Sequence, residues 1–226
     1  MILAAVADVH YPRYYIQYLT ALSACKECKD VNIIIFCGDM VYRGRIDGYR
    51  NVIQITKRYL PNAKIIAVFG NEEFIGTEEQ YVNRYKDVIW LNDNYVIEGQ
   101  VAIYGTRGAL DRLTRWQRKH HPELSRVYIE RCLKLKNTVT MLKSKGYKVI
   151  VAMHYAPTYK TLEGEDKSIW PEMGSRFMEK AIIESKPDLV LHGHAHKSRR
   201  LEALVDSVKV VNVSLPARKS IYLFEI

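Results

Sequence analysis

The apolar run Asp188 to Leu191 ends in His192-Gly193-His194-Ala195-His196. Three imidazoles lie within five positions, and Gly193 lets the backbone turn among them. Histidine is the commonest metal ligand, so the set could reach one divalent ion or two neighbouring ions. On an extended backbone alternate residues share a face, and His194 and His196 are expected to point the same way. Read alone, the stretch also suits a solvated histidine-rich loop. Four more apolar runs narrow the choice. Met1 to Ala7 delivers Asp8-Val9-His10, and Val31 to Cys37 delivers Gly38-Asp39. Lys64 to Phe69 delivers Gly70-Asn71-Glu72-Glu73, and Lys148 to Met153 delivers His154. One strand ending in a polar residue is unremarkable as a cap. Five of them describe a site at strand tips, where ligands gather in open α/β sheets. Carboxylate, imidazole and carboxamide donors together suit Mn, Fe, Zn or Ni. The set is too large for one tetrahedral ion and fits two ions that share a carboxylate.

In this order the motifs DxH, GD, GN, a lone His and GHxH resemble the calcineurin-like metallophosphoesterase superfamily. The resemblance runs from Asp8 to beyond His196. It implies a four-layer α/β/β/α sandwich, with two mixed sheets back to back and helices outside. It further implies one ion on Asp8, His10, Asp39 and His196 and a second on Asn71, His154 and His194, with Asp39 bridging. Two divalent ions are the implied cofactor, Mn foremost, with Fe, Zn or Ni as alternatives. A hydroxide between the ions would attack phosphorus in line. Glu72, Asp39 and His154 are the candidate catalytic residues. His192 matches no family ligand and is expected to be structural.

One position departs from the family pattern. A histidine usually follows GN, where this chain has Glu72 and then Glu73. An unperturbed glutamic acid titrates near ~4.3, so it is mostly anionic at neutral pH. An anion beside a phosphate is unfavourable unless the site keeps it protonated as a general acid. Either outcome favours diesters, which bring one charge fewer than monoesters. Glu73 is expected to support the ligands or a helix start.

The elements that must position these residues follow from periodicity. Helices are expected over Tyr14–Lys29, Gly48–Tyr59, Thr77–Tyr85, Leu124–Lys145 and Ser175–Ser185. In the first, Ile16, Leu19, Leu22 and Ala24 are the expected inner face. Val88–Leu91, Tyr95–Glu98 and Val101–Gly105 suggest short strands in an antiparallel meander. Thr158–Gly174 reads as a mobile loop. Lys209–Ser214 and Ile221–Ile226 read as closing strands.

With 226 residues, 48% of them hydrophobic, the chain can bury one sizeable core, which is most simply a single domain over 1–226. No apolar run approaches a membrane span, and Met1 to Ala7 reads as a core strand and not as a leader. Cys25, Cys28, Cys37 and Cys132 are expected to be reduced thiols in the cytoplasm, since one CxxC without a second pair is weak support for zinc. The net charge of +9 could attract phosphorylated partners. Its densest run is 105–123, which carries Arg107, Arg112, Arg115, Trp116, Arg118, Lys119, His120 and His121. Arg43, Arg107 and Trp116 are candidate substrate contacts. The leading reading is a phosphodiesterase for a small-molecule or nucleotide phosphoester. The alternatives are a nuclease that holds DNA or RNA on the basic loop, and a catalytically silent scaffold that binds a partner.

Overall fold

A computed structural model describes all 226 residues. The first half of the chain forms β1 (Ile2–Val6), α1 (Tyr15–Ala24), β2 (Ile33–Cys37), α2 (Tyr49–Tyr59), β3 (Lys64–Val68), α3 (Glu78–Arg84) and β4 (Val88–Leu91). The middle forms β5 (Asn94–Glu98), β6 (Val101–Thr106), α4 (Arg115–His120), α5 (Leu124–Ser144) and β7 (Lys148–Met153). The rest forms α6 (Arg176–Ser185), β8 (Leu189–His192), β9 (Glu202–Val205), β10 (Val208–Asn212), α7 (Leu215–Arg218) and β11 (Tyr222–Glu225).

These strands build two mixed sheets. The first has the order β11-β1-β2-β3-β4 and is parallel except for β11. The second has the order β5-β6-β7-β8-β10-β9, with antiparallel pairs at both edges. Strand alternation explains why β1 is apolar on both faces. Ala4 and Val6 pack toward the helices of the first sheet, while Leu3 and Ala5 join Ile150, Ala152 and Leu191 between the sheets. Residues of α5 and α6 cover the outer face of the second sheet. The result is the expected α/β/β/α sandwich.

Local expectations needed several corrections. The helix expected over Tyr14–Lys29 stops at Ala24, and a 3-10 turn covers Lys26–Asp30. Its inner face is Tyr18, Ala21 and Leu22, while Ile16 is exposed. Cys25 is extended at the helix end, and Cys25 and Cys28 are joined by a disulfide. The expectation of reduced thiols therefore holds only for Cys37 and Cys132, both buried. The expected meander is split: β4 pairs parallel to β3 in one sheet, while β5 and β6 form an antiparallel pair in the other. Residues 158–174, expected as a loop, contain two 3-10 turns, Tyr159–Leu162 and Lys167–Glu172. They are pinned by Ala156 N–H on Met173 O and Ser175 N–H on Ala156 O, both at 3.1 Å. The basic stretch contains α4, opened by a capping box between Thr114 and Gln117.

The sheets press together at Gly105. A Cβ there would lie 2.2 Å from Leu91 Cβ and 2.8 Å from Val68 Cγ1. Gly105→Ala should therefore destabilise the protein by roughly 1–3 kcal/mol, as overpacking does. Urea titration checks this, and an unchanged midpoint would refute the packing account.

Candidate active site

The site lies across the ends of β1, β2, β3, β7 and β8. Backbone bonds lace the first two ends together: Asp8 N–H donates to Gly38 O (3.0 Å), His10 N–H to Asp39 O (2.9 Å) and Tyr11 N–H to Met40 O (3.0 Å). Glu73 joins the β2 and β3 ends. Its Oε2 accepts from Asp39 N–H (2.7 Å) and Gly70 N–H (2.8 Å), and its Oε1 from Met40 N–H (2.8 Å) and Val41 N–H (3.3 Å). Burial and the Asp39 carboxylate push the Glu73 pKa up to about 7, against the pull of these N–H groups. Close approach makes glycine necessary at 70, where a Cβ would sit 2.1 Å from Asp39 Oδ1. Asp8, His10, Asp39 and His194 have φ of 61°, 44°, 53° and 70°. Left-handed backbone is costly for such residues and collects at functional sites.

Asp39 stands between two groups of donors. On one side, His10 Nε2 is 3.7 Å from Asp39 Oδ2 and 3.7 Å from Asp8 Oδ1. His196 Nε2 is 3.1 Å from Asp8 Oδ1 and 3.3 Å from His10 Nε2. On the other side, His154 Nε2 is 3.4 Å from Asp39 Oδ2 and 3.0 Å from Asn71 Oδ1. His154 Nδ1–H donates to Cys37 O (3.1 Å), which aims Nε2 into the site. The His194 ring packs 4.9 Å from that of His154, between centroids. His194 and His196 therefore face different groups; the left-handed turn at His194 breaks the alternation that the sequence suggested.

The charges call for cations. Burial opposes ionisation of Asp8, yet His196, His154 and His10 hold its carboxyl well below the usual range. Burial likewise opposes Asp39, and His154 and His10 outweigh it. Burial would lower His154, but Asp39 and Asp8 lift it to about 9. His196 is raised in the same way, mainly by Asp8 against burial. Burial depresses His10 and pushes His194 down to about 3, with His154 adding to the effect, so both offer free lone pairs. Asp8 Oδ1 and His10 Nδ1 are buried without a hydrogen bond. Asp8, His10 and His196 form one group whose donor atoms lie within 4.8 Å of one another, and Asp8, Asp39 and His154 form another. Orphaned donors, facing imidazole nitrogens and two ionised carboxylates fit divalent metal.

The remaining sequence candidates divide. His192 is not part of the set: its Nε2 meets Thr161 Oγ1 at 2.9 Å. Glu72 lines a cleft of about 830 Å³ beside Asn71 and His194, and its Oε2 accepts from Arg43 N–H (2.5 Å). The Arg43 side chain is exposed over the Tyr42 ring, 5.0 Å away. Trp116 is exposed in the cleft wall. Arg107 also lines the cleft, from within the protein. It is buried, donates to Gly70 O and Glu73 O, and pairs with Glu78 at 2.9 Å. Its acceptors lie 29 or more residues away in sequence, so no local spacing announces them.

The calcineurin-like phosphoesterase family model matches residues 1–198, and the chain belongs to that family. Family membership makes it a phosphoric ester hydrolase with a divalent-metal site. Among solved structures the chain is similar to a phosphopantetheinyl hydrolase from Mycobacterium tuberculosis (TM-score 0.65, 15% identity, 96% of this chain and 90% of that one). It is also similar to a dimetal phosphatase from Danio rerio (0.62, 12%, 94% and 86%) and to a purple acid phosphatase from yellow lupin (0.57, 13%, 100% and 46%). At these identities the likeness concerns the fold. No curated protein matches the chain in sequence. No helix is long and apolar enough to cross a membrane.

Glu73→Ala would leave four buried N–H groups unsatisfied. It should cost at least about 3 kcal/mol of stability and weaken divalent-metal binding by roughly 10–100-fold. Denaturation and calorimetric titration with Mn read the two effects; undiminished metal affinity would show that Glu73 does not position Asp39.

Proposed function

We propose that the chain is a phosphodiesterase for small phosphoesters, with one divalent cation on Asp8, His10, Asp39 and His196 and a second on Asn71, His154 and His194, bridged by Asp39. The observation that carries this reading is the position of Asp39 between two histidine groups, 3.7 Å from His10 Nε2 and 3.4 Å from His154 Nε2. Bound divalent ions, Mn foremost, supply Lewis acidity and an activated water. The protein's own residues fix where the ester sits. Asn71 and His194 line both the metal centre and the cleft, so phosphorus lies at the cleft floor. Glu72, held by Arg43 N–H, presents its carboxylate beside that floor. A monoester dianion would meet it with one more negative charge than a diester. Glu72 thus selects diesters, with Arg43 as the rim contact. The nuclease reading has less support, because three cations of the basic stretch are engaged internally. Arg107 is clamped on backbone, Arg112 pairs with Glu172 at 3.0 Å, and Arg118 donates to Leu113 O at 2.6 Å. Two ionised carboxylates among four facing imidazoles also make a silent scaffold the weaker account.

With Mn, bis-p-nitrophenyl phosphate should turn over faster than p-nitrophenyl phosphate, and Asp39→Ala should lower that rate by more than about 100-fold, beyond the usual effect of a supporting residue. Faster monoester turnover would refute diester selection. No turnover with Mn, Fe, Zn or Ni in metal-binding protein would refute the enzyme and leave the scaffold. Glu72→His should raise monoester turnover relative to diester by on the order of 10²-fold, the size of a general-acid contribution. An unchanged ratio would remove Glu72 from specificity.

A further inference from the structure

The cleft beside the metal centre carries a second kind of information. Its polar wall is already bonded to itself. Thr114 Oγ1 accepts from Gln117 N–H (3.2 Å), and Gln117 Oε1 accepts from Thr114 N–H (3.0 Å). Gln117 Nε2 donates to Tyr128 (3.0 Å) and Tyr155 (3.4 Å). Thr77 Oγ1 donates to Phe74 O (2.7 Å). Arg107 is engaged by Gly70 O, Glu73 O and Glu78, while Glu172 is paired with Arg112. The one arginine of the cleft wall is already paired with a carboxylate, and no lysine lines it. What remains is surface: Phe74, Ile75 and Trp116 are exposed there by 47%, 37% and 57%. The indole packs against His120 and His121, with centroids 5.2 and 5.1 Å away. The capping box at Thr114 fixes the helix turn that carries it.

We propose that the cleft binds the organic group of the ester as a flat, uncharged aromatic ring stacked on Trp116, and that it excludes a second phosphate. This rests on the phosphodiesterase reading, because the cleft shares Asn71 and His194 with the proposed metal centre. Burying exposed apolar surface drives entry, and the indole face adds a geometric preference for planar rings over saturated ones. A second phosphate would meet the Glu72 carboxylate, and the one arginine of the wall, Arg107, is already paired with Glu78.

The test uses diesters of equal charge, methyl phosphate esters of methanol, cyclohexanol and 1-naphthol, with the Mn-loaded full chain. Binding is measured by calorimetry and by competition against bis-p-nitrophenyl phosphate. The naphthyl ester should bind about tenfold more tightly than the cyclohexyl ester, in the range of ring stacking on an aromatic side chain. Trp116→Ala should collapse that ratio toward one, and Trp116→Phe should keep most of it. A naphthyl ester carrying a second phosphate should bind more weakly. Equal affinity for ring and cyclohexyl, a ratio that survives Trp116→Ala, or tighter binding of the doubly phosphorylated ester would overturn the inference. Calorimetry needs no turnover, so stacking without hydrolysis would sink the phosphodiesterase reading alone, while hydrolysis without ring preference would sink only the inference.

Discussion

Four backbone N–H groups converge on the carboxylate of Glu73, and the site depends on that convergence. Asp39, Met40 and Val41 follow β2 while Gly70 follows β3, so one buried side chain sets the distance between two strand tips. Arg107 closes the same junction from the second sheet by taking Gly70 O and Glu73 O. A buried acceptor or donor left alone costs far more than a paired one contributes, so the loops have little freedom to rearrange. This rigidity lets four residues of the set stay in left-handed backbone, a strain that only an over-determined surrounding maintains.

Much of this was legible in the sequence because it is local. Apolar runs of four to seven residues mark β1, β2, β3, β4, β6 and β7 to within a residue or two. The polar residue after each run gave the site candidates without knowledge of sheet order. What was not legible is long-range or conformational. Nothing near Arg107 announces acceptors in the Gly70–Glu78 segment. The divergence of His194 and His196 depends on a backbone φ of 70° that no spacing encodes. Ile16 follows the helical period but points to solvent because Tyr18 takes the inward place, with its hydroxyl on Thr56 of α2 at 2.7 Å. β9 is only four residues long and alternates exposed and buried, too short a pattern to stand out.

Net charge was a poor guide for a related reason. A formal +9 suggests a cationic binding face, yet Arg107, Arg112 and Arg118 of the basic stretch serve the protein's own carbonyls and carboxylates. Arg131, which reaches both Asp93 oxygens at 2.9 Å and Gly108 O at 2.8 Å, does the same beneath the second sheet. Arginine's planar fork suits such internal bridging. The cleft is left with aromatic surface and carboxylates in a protein that is basic as a whole.

The two sheets meet through side chains and one backbone bridge, Ala7 to Ser214, and the chain crosses between them only from β4 to β5 and from β10 to β11. Asp8, His10, Asp39 and Asn71 stand on one side of that seam; His154, His194 and His196 stand on the other. On the proposed ligand assignment each cation is a rivet between the halves of the sandwich. Its affinity then adds to the cohesion of the fold by mass action, and withdrawal of metal loosens the seam itself, making mechanical integrity and catalytic competence two readings of one occupancy.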